Sequence, residues 1–173
     1  MPGNVCERIA DILLRSPANL ALDAGLLRSL SPLDEQELAR PARPILLPHA
    51  GELADLLNIA EAKIAEGPVH AGHRAAQLYC SLVLVKGATS HVVHPDGRVW
   101  TYSGGAPGLG VSGSGDVLAG IVGGLLSRGA DPLAALLWGV WLHGQAGEAL
   151  ARSIGPIGFL AREIAEQVPA LLA

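Results

Sequence analysis

Apolar residues along this chain follow two rhythms: spaced positions of helical period, and short unbroken runs of strand length. Between Asn4 and Arg15, Val5, Ile9, Ile12 and Leu13 share one helical face, and Pro17 stops the pattern. That spacing predicts a short amphipathic helix. Asn19 to Asp23 reads as a strand, and Asp23-Ala24-Gly25 as its end, passing into a helix that runs to about Leu30. Pro32 interrupts, and a polar segment rich in Glu and Arg reaches Pro41 and Pro44 as predicted surface. Ile45-Leu46-Leu47 is a second strand, ending at Pro48-His49-Ala50-Gly51-Glu52 before helical spacing resumes at Leu53, Leu56 and Leu57. After Pro68, a helical stretch from His70 to Cys80 leads into Ser81 to Val85, a continuous apolar run typical of a strand buried on both faces. His91 to His94 and Arg98 to Tyr102 alternate around Pro95-Asp96-Gly97, which predicts a hairpin.

The stretch Gly104 to Gly124 changes character again. A run of glycines and serines ends at Asp116, and an apolar segment, Val117 to Leu126, follows at once. A loop opening a helix is expected there. That helix ends near Arg128-Gly129, and Asp131-Pro132 starts the next with a cap and a first-turn proline. Gly120, Gly123 and Gly124 in one helix, with Gly139, Gly144 and Gly147 in the other, are read as sites of close backbone approach. Gly155-Pro156 breaks the chain before a last helix, about Phe159 to Leu172.

Three places in this pattern can carry chemistry. Gly113, Ser114 and Gly115 can point several backbone N–H groups at one spot on a helix N-terminus, where the dipole also favours an anion such as phosphate. Asp116 beside them can accept a proton from an attacking hydroxyl. The plain alternative is that Ser114 or Asp116 caps a buried helix. Lys86-Gly87-Ala88-Thr89-Ser90, at the end of the buried strand, can bind phosphate oxygens through its ammonium and amides, or can be a lysine reaching solvent. His49 and Glu52 lie in a loop after a strand, where ligands bind in α/β folds. Read alone, His49 is an ordinary loop histidine and Glu52 a first-turn carboxylate. His143 reads as a packed core histidine.

Composition narrows the choice. The 173 residues suffice for one substantial core, so a single domain is expected. Half the residues are hydrophobic and 16% are charged, which makes self-association the expectation. A net charge of −4, no basic cluster and six aromatic residues argue against nucleic-acid binding. Cys6 and Cys80 fit neither a disulfide framework nor a zinc site and read as cytosolic thiols. Glu7 and Asp11 interrupt the N-terminal apolar positions, so no signal peptide is visible, and no apolar run has membrane-spanning length. A soluble, cytoplasmic protein is expected.

Three separated segments, LLPHAGELADLL, LVLVKGATSHVVHPDG and GAPGLGVSGSGDVLAGIVGGLLSRGADPLAALLWGVWLHGQAGEALA, together resemble the ADP-dependent NAD(P)H-hydrate dehydratase family of the ribokinase-like superfamily. The resemblance runs over residues 19–173 and covers the C-terminal part of the family's domain, with 1–18 as a divergent N-terminal helix. It implies a ribokinase-like three-layer αβα fold with a mostly parallel central sheet, N-terminally truncated. It also implies a repair reaction that returns hydrated NADH or NADPH to the working cofactor at the expense of ADP, or ATP, with release of AMP and phosphate.

By the resemblance, Asp116 is the catalytic base and a substrate contact. Lys86, Gly87, Ala88, Thr89, Ser90 and Gly115 bind the nucleotide; Gly113, Ser114 and Gly115 stabilise the transferring phosphoryl charge; His49 contacts substrate. Glu52 stands where related enzymes organise Mg2+ through water, and no protein-only metal site is implied. Asp23-Ala24-Gly25-Leu26-Leu27-Arg28 departs from the family's DADALN at Gly25 and Arg28, and Leu47 replaces a usual threonine. These departures bear on substrate binding more than on ADP. Surface left by absent N-terminal units would be covered in part by the Asn4 to Arg15 helix and for the rest by a second copy of the chain or another protein, and a homo-oligomer is the expectation. Two other functions stay open: an inactive nucleotide-binding or oligomerisation module, and a small-molecule kinase of the same superfamily.

Overall fold

The structure is a computed structural model that describes residues 5–32 and 43–172. The polar segment expected at the surface falls mostly on residues 33–42, outside the described residues. The chain divides into two compact units, Met1–Thr101 and Tyr102–Ala173.

The first unit is organised by its sheet. The strands β1 (Ala21–Leu22), β2 (Ile45–Leu46), β3 (Leu82–Val85), β4 (Ser90–Val93) and β5 (Val99–Tyr102) lie in that order, β5 ending on the first residue of the second unit. β1, β2 and β3 run parallel, with Leu22 opposite Leu46 and Leu46 opposite Val83. β4 turns back antiparallel, placing Leu84 opposite Val92. The sheet is therefore mixed: the parallel part carries the strand ends, and the predicted hairpin extends it. Gly97, with φ of 97°, supplies the left-handed residue of that hairpin turn.

β3 is buried along its whole length, as a run of Leu-Val-Leu-Val requires. Leu46, Val83 and Leu84 are fully buried, each contributing roughly 1.5–3 kcal/mol of hydrophobic stabilisation. Helix α2 (Ala50–Leu57) adds Leu53, Ala54 and Leu57 to this core; α3 (Glu61–Glu66), which the spacing does not predict, adds Ile64. Helix α4 (Pro68–Leu78) packs on the sheet through small residues, Ala71, Gly72, Ala75 and Ala76. A Cβ at Gly72 would lie 2.8 Å from Val93, so only glycine lets the helix come this close. The segment after Asp23 is a short 3-10 helix, Ala24–Ser29, rather than an α-helix.

Helix α1 (Val5–Leu14) forms where predicted but seats by a different face. Ala10 is buried and Leu14 packs on the core, whereas Val5 and Ile12 are 67% and 69% exposed and Ile9 is also exposed. At 100° per residue, Ala10 and Leu14 lie across the helix from Val5, Ile9 and Ile12, with Leu13, the half-buried member of the predicted face, between the two sides. The stripe is real, but it is not the seat.

The second unit is helical. Helices α5 (Ser114–Ser127), α6 (Pro132–Ser153) and α7 (Ala161–Leu171) pack in succession, α6 against both others. Asp131 caps α6 by accepting hydrogen bonds from the Leu133 and Ala134 amides. Ala146, Leu150, Phe159 and Ile164 form a buried cluster, with Leu109, Val111 and Val117 packed against it. The close-approach reading of the glycines holds for α6 only. A Cβ at Gly139, Gly144 or Gly147 would lie 2.5, 2.3 or 2.6 Å from Val122, Tyr102 or Leu109, while Gly120, Gly123 and Gly124 of α5 face open space. Neither Cys6 nor Cys80 is in a disulfide among the described residues. Among the described residues no helix is long and apolar enough to cross a membrane.

Candidate functional site

In the first unit, the residues singled out from the sequence gather at the C-terminal ends of the parallel strands. Lys86 follows β3, and its N–H bonds the Pro48 carbonyl at 3.0 Å, which continues the β2–β3 ladder by one step. Its side chain turns inward. Lys86 Nζ lies 2.7 Å from Asp23 Oδ1 and 3.9 Å from Glu52 Oε2, with all three side chains largely buried. Asp23 also accepts the Ala24 N–H at 2.9 Å. Asp23 was not among the sequence candidates for the site. Only the pairing of β1 with β2 and β2 with β3 shows that these three strand ends are neighbours.

Helix α2 begins at Ala50, three residues earlier than the apolar spacing predicts, because His49 and Glu52 form a capping box. The His49 N–H donates to Glu52 Oε2 at 2.9 Å, and His49 Nδ1 accepts from the Gly51 and Glu52 amides at 3.1 and 3.4 Å. An accepting Nδ1 puts the ring proton on Nε2, which faces Glu52 Oε1 at 3.5 Å. Glu52 is thus the first-turn carboxylate of the plain reading, and His49 keeps an exposed ring edge. Beyond Lys86, Gly87, Ala88 and Thr89 form an exposed turn, and the Ser90 hydroxyl donates to the Gly87 carbonyl at 3.3 Å.

The chemistry of this cluster does not fit a metal held by protein alone. Its two carboxylates already share one ammonium, and among the described residues no group of three or more His, Cys, Asp or Glu gathers as metal ligands.

In the second unit, α5 starts at Ser114, so Ser114, Gly115 and Asp116 form its first turn and Gly113 is the N-cap. Gly113 has φ of 88°, a left-handed conformation that strains any side chain. Among the described residues no side chain caps this end, so Ser114 and Asp116 do not act as the cap of the plain reading. The Ser114 N–H bonds the Val111 carbonyl, and the Val117 N–H bonds Gly113. Between them, the Gly115 and Asp116 amides have no acceptor among the described residues. Two unsatisfied donors at the positive end of a 14-residue helix suit an anion. The Asp116 side chain is exposed beside them.

The glycine loop before α5 rests on α6 in ways the sequence reading did not anticipate. Glu148 Oε1 accepts the Gly105 N–H at 3.0 Å, Gln145 Nε2 donates to the Tyr102 hydroxyl at 3.3 Å, and His143 Nε2 meets Ser114. The order His-Gly-x-x-Gly-Glu in α6 was the signal available for these contacts; their direction toward the loop was not.

The fold is ribokinase-like α/β. It superposes on the Bacillus subtilis ADP/ATP-dependent NAD(P)H-hydrate dehydratase co-crystallised with ATP/Mg2+ at a TM-score of 0.88 and 26% identity, covering 96% of this chain and 58% of that one. A ribokinase-like superfamily protein from Enterococcus faecalis matches in fold at a TM-score of 0.79 and 22% identity, over 96% of this chain and 57% of that one. Residues 5–170 match the NAD(P)H-hydrate dehydratase family, and the chain belongs to that family. A curated relative from Xanthomonas campestris pv. campestris, the ADP-dependent (S)-NAD(P)H-hydrate dehydratase, is 49% identical over 153 residues, which are 88% of this chain and 51% of that protein. The chain thus spans about half the length of that relative.

Proposed function

We propose that the chain acts in ADP-dependent dehydration of hydrated NADH or NADPH, releasing AMP and phosphate. The observation that carries this reading is the start of α5, where the unsatisfied Gly115 and Asp116 amides meet an exposed carboxylate. In this reading Asp116 contacts the hydrated ring and takes the proton of its hydroxyl as the hydroxyl oxygen attacks the terminal phosphoryl group of ADP. AMP leaves; the phosphoester's C–O bond then breaks, phosphate departs with the former hydroxyl oxygen, and loss of a proton from the neighbouring ring carbon restores the ring double bond. The Gly113 to Gly115 segment stabilises the charge on the transferring group. In the first unit Lys86, Gly87, Ala88, Thr89 and Ser90 are the nucleotide contacts of this reading and His49 a substrate contact through its exposed ring edge; in the second, Gly115 is a nucleotide contact. ATP would serve by the same contacts. Mg2+ would come with the nucleotide phosphates, since the described residues offer it no cage of their own.

The same reading makes the chain a homo-oligomer acting in the cytoplasm. The exposed stripe of Val5, Ile9 and Ile12 supports association, as do Trp138 and Trp141, which stack edge to face on α6 while still exposed.

Calorimetric titration of ADP with magnesium, followed by an assay for loss of NADH hydrate, tests the proposal. Binding with turnover establishes the enzyme. Binding without turnover identifies a nucleotide-binding module, and absence of binding removes the reading altogether.

A further inference from the structure

Helix α6 grips both ends of the glycine loop. At the entrance, the Gly105 N–H is held by the Glu148 carboxylate. At the exit, His143 Nε2 lies 2.9 Å from Ser114 Oγ and 3.1 Å from the Ser114 carbonyl oxygen. A carbonyl oxygen only accepts, so Nε2 carries the proton. The Ser114 hydroxyl then accepts from that same N–H and keeps its own proton for another partner. Ser114 is 5% exposed, so a lost donor would not be replaced by bulk water.

The two grips belong to one continuous helix and sit five residues apart. Between and beside them α6 carries Gly144 and Gly147, where the Tyr102 ring and the Leu109 side chain come closer than any Cβ allows. Loop and helix therefore meet as fitted surfaces, with hydrogen bonds at each end. Ser114 directly precedes the two residues whose amides are unsatisfied. Its position sets where those amides and the Asp116 carboxylate point, because the first turn of α5 has no side-chain cap to set them otherwise.

We propose that His143 is a positioning residue: its Nε2–H, shared between the Ser114 carbonyl and hydroxyl, holds the first turn of α5 in the geometry that receives a phosphoryl group, with Glu148 holding the loop's other end. This rests on the reading of α5's start as the phosphoryl site. The bond to Ser114 itself does not, and the two can fail separately.

The test compares His143→Leu, His143→Gln and His143→Asn with the wild-type full chain. Glutamine extends an amide donor to about the reach of Nε2, and asparagine falls short. Hydrogen exchange over 111–118 is measured without nucleotide, and steady-state kinetics are measured with ADP and NADH hydrate. The leucine variant should exchange about tenfold faster at the Val117 amide, which bonds Gly113. Its kcat should fall about tenfold or more while the KM for ADP moves less than about threefold, as for an interaction felt mainly in the transition state. Glutamine should restore both to within about threefold, and asparagine should not. Unchanged exchange in the leucine variant, or glutamine and asparagine behaving alike, overturns the assignment. Should leucine unfold the chain, the glutamine–asparagine pair decides by the same criterion. A wild-type chain that protects the loop as described but turns over no substrate would overturn the proposed function and leave the exchange result to judge His143.

Discussion

At the ends of β1, β2 and β3 the polar groups are turned on one another: Lys86 is bound to Asp23 and faces Glu52, Glu52 holds the His49 amide, and His49 closes the start of α2. At the start of α5 the reverse holds, since Gly113 offers no cap and the Gly115 and Asp116 amides have no acceptor among the described residues. The first region pairs its own charges and contributes to stability; the second forgoes a cap worth about 1 kcal/mol and keeps its donors available. Charge alone does not mark a binding group. A lysine paired with carboxylates offers phosphate less than a bare ammonium would, so the amides of α5 carry more of the anion's hydrogen bonding than charge alone suggests.

Substitutions can break this contrast. The largest expected effect is on activity: Asp116→Asn should reduce turnover of NADH hydrate by about 10³-fold. The same change should cost under about 1 kcal/mol of stability in a denaturant titration, because an exposed first-turn carboxylate contributes only through the helix dipole. Lys86→Met should do the opposite, lowering stability by about 3 kcal/mol by leaving Asp23 and Glu52 facing each other without their cation. A melting temperature within a degree or two of wild type would show that the ion pairs are not structural. Gly144→Ala should cost about 2 kcal/mol, since its Cβ would press on the Tyr102 ring at 2.3 Å. Gly120→Ala is the smallest change and has the opposite sign. It fills open space on an exposed helix face and should stabilise by about 0.5–1 kcal/mol. Equal effects at the two glycines, read from thermal melts, would remove the distinction between fitted and idle positions.

Much of the fold was legible because its signals are local. β3 announced itself as four apolar residues in a row, the hairpin by Pro95-Asp96-Gly97, and α6 by Asp131-Pro132. Boundaries slipped where a side chain, not periodicity, sets the start. His49 caps α2 through its ring, and His is not among the usual capping residues, so the helix was expected at Leu53. The seat of α1 is not legible in the sequence, for another reason. Its most hydrophobic stripe is Val5–Ile9–Ile12, and spacing alone does not show that Ala10 and Leu14 meet the core instead.

The candidate site divides along the same line. Gly113 to Asp116 could be read in the sequence because a glycine run ending at an acidic helix start is a contiguous feature, and family membership, too, follows from residues in order. The partnership of Asp23 with Lys86 spans 63 positions and that of His143 with Ser114 spans 29. Contacts at such separations depend on strand order and on how closely helices pack, so only the tertiary structure decides them. The sequence by itself determined which residues could form strands, open a helix toward an anion and supply a carboxylate there. Folding decided which charges would be neutralised and which donors left waiting, because that depends on what the chain brings within about 3 Å.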